Sequence, residues 1–177
     1  MRDLRLQRKE PLRGEATMKC YFMRHGSAVD AAEWSGADFD RPLTKEGHER
    51  MTRAAKTIAD MRLNVDVILT SPLVRAKQTA TIVAKRMKIE DRLVEDPRLA
   101  GGFGLNGFAE ILDERRTADA IMLVGHEPGM SRTVGELVGG ADLEFKPGSL
   151  ACVNVSEPAT LRGTLLWLIP AKVFALK

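Results

Sequence analysis

Arg24 and His25 stand together at the end of an apolar and aromatic stretch, Lys19 to Met23. That stretch reads as a strand, and Gly26 turns the chain behind it. Ligands of open α/β sheets bind at such strand ends. A histidine held there can act as nucleophile, as acid or base, or as metal ligand. An arginine beside it suits an anion, most naturally a phosphoryl group. Two further segments repeat the layout of strand, polar residue and helix. Arg75 follows Ser71-Pro72 in the first turn of a helix, where the dipole and free N–H groups already favour an anion. His126 follows the apolar run Ala120 to Val124 and precedes Glu127-Pro128-Gly129. Arg41, just before Pro42-Leu43-Thr44, lies on a strand-end loop of the kind that carries function in α/β folds, with a plain surface charge as its alternative reading. Two histidines and two arginines facing one pocket would bind a dianion, with Glu127 as the carboxylate that accompanies them in these motifs.

The elements that must position these groups follow from periodicity. Thr44 reads as the N-cap of a helix whose Met51, Ala54, Ala55, Ile58 and Ala59 form one apolar face. His48 falls on its solvated side. Val65 to Leu69 reads as a second strand. Ser71 reads as an N-cap and Pro72 as the first helical residue, with Leu73, Ala76, Ala80, Val83, Ala84 and Met87 turned inward. A short strand is expected near Leu93-Val94 and a helix from Leu105 to Arg115. Ala120 to Val124 reads as a buried parallel strand. Pro128 is expected to open a helix that Gly139-Gly140 ends. Ser149 to Val155 and Thr164 to Ile169 read as an antiparallel hairpin at a sheet edge. The expected fold is α/β, three layers with helices on both faces of a mainly parallel sheet. Right-handed crossovers then bring Arg24, His25, Arg75 and His126 to one edge.

Composition sets the bounds. A chain of 177 residues is expected to hold one domain, here residues 18–177. Residues 1–17 mix basic and acidic side chains without an apolar core, so they read as a disordered tail or a mis-called start rather than a secretory signal. The net charge of +3 does not argue for nucleic acid. No apolar run approaches a membrane span. Cys20 and Cys152 lie in apolar stretches and read as buried free thiols of a reducing compartment, hence a cytoplasmic protein. No phosphate-cradling Gly-x-x-x-x-Gly-Lys-Ser/Thr loop is present, which disfavours a nucleotide triphosphatase. Paired carboxylates with histidine ligands do not stand out, which disfavours a metal hydrolase.

Taken in order, Arg24-His25-Gly26, Leu43-Thr44-x-x-Gly47, Ser71-Pro72-x-x-Arg75-Ala76-x-Gln78-Thr79-Ala80 and Val124-Gly125-His126 resemble the histidine phosphatase superfamily, with its phosphoglycerate mutase-like fold. The resemblance spans residues 18 to about 170. The length, the Arg41-Pro42-Leu43-Thr44 segment and the lack of a large cap insertion are similar to small single-domain SixA-type phosphohistidine phosphatases. The resemblance implies that His25 attacks phosphorus and becomes a phosphohistidine, which water then hydrolyses. It implies that Arg24, Arg75 and a protonated His126 hold the phosphoryl oxygens, with Arg41 and Gly26 as further contacts. No cofactor or metal is implied.

One departure bears on the substrate. Larger members place a general-acid Glu in a pattern like Arg-Leu-x-Glu, whereas Gly101 follows Arg98-Leu99-Ala100 here. Glu95 is a fallback. A phosphorylated imidazole leaves without strong acid assistance and an alkoxide does not. The expected partner is therefore a phosphohistidine-bearing protein, met by a monomer. The alternatives are a phosphatase of small phosphomonoesters, which a carboxylate in the pocket would favour, and a phosphate-binding module without turnover.

Overall fold

Alternation along β1 (Met18–Arg24) explains how one strand serves two cores. In the computed structural model, which describes residues 17–157 and 160–174, Tyr21 and Met23 turn to one face of the sheet and Cys20 and Phe22 to the other. β4 (Ala120–Gly125) does the same and is buried along its whole length. β2 (Val67–Thr70), β3 (Leu93–Glu95), β5 (Leu150–Glu157) and β6 (Arg162–Ile169) complete the sheet. The strand order is β3-β2-β4-β1-β5-β6. β3, β2, β4 and β1 run parallel, while β5 and β6 form the antiparallel edge hairpin that the sequence predicts.

The helices α1 (Lys45–Asp60) and α2 (Val74–Met87) cover one face, with α5 (Ala171–Phe174) beside α1. The helices α3 (Leu105–Glu114) and α4 (Gly129–Leu137) cover the other. Phe22 and Phe108 meet there with centroids 5.2 Å apart. The three-layer α/β/α expectation holds.

The helix starts differ from the sequence reading. α2 begins at Val74 with Leu73 as N-cap, not at Pro72. Ser71 instead makes a turn outside the helix, its Oγ accepting from the Leu73 amide. α4 begins at Gly129, one residue after Pro128. Thr44 does cap α1, accepting from the Gly47 amide at 2.9 Å. Trp167 is only partly buried and packs on Tyr21 from the edge strand, with centroids 6.0 Å apart. Cys20 and Cys152 are buried free thiols, and burial raises the pKa of each. The expected tail lies outside the described residues up to residue 16. Among the described residues no helix is long and apolar enough to cross a membrane.

Candidate active site

Strand register brings the two histidines together. Arg24 of β1 pairs with Gly125 of β4, so the next residue on each strand leaves the sheet at the same point. The His25 amide donates to the Gly125 carbonyl at 3.0 Å. The His25 and His126 rings stand 5.0 Å apart, inclined at 58°. β2 lies on the other side of β4, and its register places Ser71 beside this pair. Ser71 Oγ and His126 Nε2 are 2.8 Å apart. The expected convergence of the strand ends is what the sheet delivers.

His25 is fixed by its own backbone. Its Nδ1 lies 2.7 Å from the Gly26 carbonyl. A carbonyl only accepts, so Nδ1 carries the proton and Nε2 keeps its lone pair. Burial pushes the ring's pKa down to about 3, helped by His126, Arg75 and Arg24, against the Gly26 hydrogen bond. Burial and the field of Arg75 push His126 down to about 4, against Asp38. Both rings are therefore neutral at pH 7 before an anion arrives. The protonated His126 that the resemblance implies is not its resting form, because burial disfavours the cation and the nearby arginines add to that. A dianion reverses the local field and brings that proton with it.

Ring-nitrogen NMR checks this directly. His25 and His126 stay neutral from pH 8 down to about pH 5, and inorganic phosphate raises both apparent values. Either ring cationic at pH 6 without phosphate contradicts the reading.

Arg24 Nη1 donates to the Phe145 carbonyl at 2.7 Å, and burial lowers its pKa. Arg75, in the first turn of α2, is 6 % exposed. Its Nη1 donates to the Asp38 carbonyl at 2.8 Å and its Nη2 to the Asp38 carboxylate at 3.0 Å. Arg41 donates from Nε to the same carboxylate at 2.8 Å and from Nη1 to the Val29 carbonyl at 2.7 Å. These partners hold Asp38 below the usual carboxylate range, Arg41 first. Glu127 is thus not the one carboxylate here. Asp38 arrives on the loop before α1, and neither its spacing nor a motif marks it.

Three residues of α2 tie the loops down: Arg75 holds Asp38, Gln78 accepts from the Leu43 amide at 2.8 Å, and Thr79 accepts from the Gly26 amide at 3.0 Å. That last bond corrects the expectation that Gly26 meets phosphate, since its N–H is committed to Thr79. Nor does Gly26 need a glycine-only φ. A Cβ there would lie 2.6 Å from Met51 Cγ, so it is a close approach of the loop to α1 that requires glycine. Trp34 donates to the Ala37 carbonyl within its loop, while Phe39 remains exposed.

Two cavities meet at Arg75, His126 and Glu127. One, of about 450 Å3, holds Arg24, His25 and Arg41. The other, of about 500 Å3, runs between Asp38 and the wall Leu99 to Phe103. That wall carries no acid. Arg98 turns from it and forks onto Asp96 and Glu114, which seats the segment on α3. Glu95 pairs with Lys77 and does not line either cavity. Glu127 accepts from the amide and hydroxyl of Ser131. Among the described residues no cluster of three or more His, Cys, Asp or Glu side chains is placed to hold a metal.

The model of the histidine phosphatase superfamily (branch 1) matches residues 20–102. An uncharacterized protein of Picosynechococcus sp. is 39% identical over 119 residues, 64% of this chain and 68% of that protein. The chain belongs to the histidine phosphatase superfamily. It is 28% identical over 155 residues to the phosphohistidine phosphatase SixA of Escherichia coli, covering 85% of this chain and 92% of that one. A structure of the protein histidine phosphatase SixA complexed with tungstate superposes with a TM-score of 0.78 at 23% identity, over 88% of this chain and 99% of that one. The fold is the phosphoglycerate mutase-like one that the motifs imply. The chain fits the small, single-domain SixA-type members. It is a phosphatase-superfamily hydrolase by kinship.

Proposed function

We propose that this protein removes phosphoryl groups from phosphohistidine on other proteins, in the cytoplasm, through a covalent phosphohistidine at His25. The observation that carries the reading is the neutral His25 ring, its Nδ1–H spent on Gly26 and its Nε2 free among Arg24, Arg75 and His126. Attack by the Nε2 lone pair forms a P–N bond, and the bond to the carrier's imidazole breaks. The electron pair stays with the departing nitrogen, whose ring is neutral when its other nitrogen holds a proton. Water then attacks phosphorus, the P–Nε2 bond returns its electrons to His25, and the water's proton leaves with phosphate or to solvent. Arg24, Arg75 and a His126 protonated by the incoming charge hold the equatorial oxygens, with Arg41 at the margin. Such transfers depend chiefly on positioning and charge.

The carboxylates support a P–N substrate. Asp38 is ionised between two arginines, Glu127 is bonded to Ser131, and Glu95 pairs with Lys77. Asp30, which lines the His25 cavity, accepts from the Ala32 amide, so each of these carboxylates already has a partner within the protein. The relative from Escherichia coli is named a phosphohistidine phosphatase, and the tungstate in the SixA structure is an oxyanion. A second reading, hydrolysis of small phosphomonoesters, is favoured by Asp38 and Glu127 lining the second cavity.

Phosphate release from a histidine-phosphorylated phosphotransfer domain, set against a panel of sugar and glycerol phosphates, separates the two. The proposal predicts kcat/KM higher on the protein by about a hundredfold or more, since an ester needs an acid worth that factor. Preference for an ester moves the assignment to the second reading.

A further inference from the structure

The second cavity shares Arg75, His126 and Glu127 with the first but is not lined by Arg24, His25 or Arg41, so it extends away from the nucleophile. Its apolar lining includes Leu73, Ala100 and Phe103, with Gly101 and Gly102 at a low rim. A Cβ at either glycine would meet nothing within 4 Å, so the rim opens to solvent. Arg132 stands on the opposite side, in the first turn of α4, and is exposed. Glu136 lies one turn on, yet Arg132 makes no ion pair or side-chain hydrogen bond among the described residues. The other arginines of the site are engaged: Arg24 by Phe145, Arg41 and Arg75 by Asp38. An arginine left unpaired at the edge of a half-apolar cavity is placed to read charge on an incoming molecule.

We infer that this cavity seats the imidazole carrying the phosphoryl group, and that Arg132 selects carrier proteins by pairing with a carboxylate near their phosphohistidine. The inference rests on the phosphohistidine reading above. The carrier's ring packs against Leu73 and Phe103, its backbone passes over Gly101 and Gly102, and its acidic side chain meets Arg132. A small ester lacks both the ring and the carboxylate and uses neither contact. Arg132 is thus a specificity residue and takes no part in the bond changes.

The test compares kcat/KM on a histidine-phosphorylated phosphotransfer domain with kcat/KM on phosphoramidate, a small P–N substrate, for wild type and R132E. A loss of folded enzyme lowers both values alike, so the ratio isolates recognition. The ratio falls about tenfold in R132E, as expected when a steering pair becomes a repulsion. Replacing the acidic residue beside the carrier's phosphohistidine by lysine lowers it in wild type and restores it in R132E. An unchanged ratio, or no rescue by the lysine carrier, overturns the inference and leaves the phosphohistidine reading intact. If the wild type releases no phosphate from the protein substrate, the reading and the inference fall together.

Discussion

His25→Ala abolishes phosphate release, lowering kcat by about five orders of magnitude, the scale seen when a covalent nucleophile is removed. The size follows from the absence of a substitute. His126 is the neighbouring ring, but once the incoming dianion protonates it both ring nitrogens carry protons and neither has a lone pair to attack with. Water could reach phosphorus only without the base or the covalent step that divides the reaction in two. The fold is spared, because among the described residues the hydrogen bond from the His25 side chain goes to the next residue's carbonyl. Unchanged melting with residual activity at the limit of detection is the expected pair of results. A loss below about a hundredfold means that His25 assists and does not attack.

Arg75→Ala lowers kcat/KM by about a thousandfold, the upper range for removal of one pre-placed donor to developing charge. Arg75 is buried, already oriented by two bonds to Asp38, and its Nε carries no partner. Orientation before the substrate arrives is what makes such a donor effective. Arg75→Lys recovers little, since an ammonium cannot hold the Asp38 carbonyl, its carboxylate and an oxyanion in one plane. The loss appears in kcat as well as KM, which rapid-quench kinetics separates. An effect confined to KM contradicts a role in the transition state. Arg75→Ala also leaves Asp38 beside Arg41 alone, so some loss of thermal stability accompanies it.

The site was legible in sequence where the backbone alone places it. Parallel strands ending at one edge required Arg24, His25 and His126 to converge, and the register of β1 with β4 makes the two histidines neighbours. Arg75 was legible from its place at the start of a helix. What escaped was made by side chains crossing between distant loops. Asp38 lies 37 residues from Arg75 along the chain, on a polar loop whose charges look alike in sequence. Gln78 and Thr79 were visible only as motif letters, while their work is to hold the Leu43 and Gly26 amides. Gly26 looked like a turn glycine and is a packing glycine, because Met51 belongs to a helix no local pattern relates to it. The starts of α2 and α4 shifted by one or two residues, where Ser71 and Pro128 lead into the helix without joining it.

A covalent phosphoenzyme is the central claim, and trapping it is the direct measurement. The enzyme is mixed with labelled phosphoramidate or a labelled phosphotransfer domain, quenched in alkali within the first turnover, and digested for mass spectrometry. Phosphohistidine survives alkali and is lost in acid, so its chemistry identifies it. The account predicts label on the peptide containing His25, at Nε2, chased by water, and none in His25→Ala. Label on His126, or turnover with no labelled peptide at any time, contradicts it.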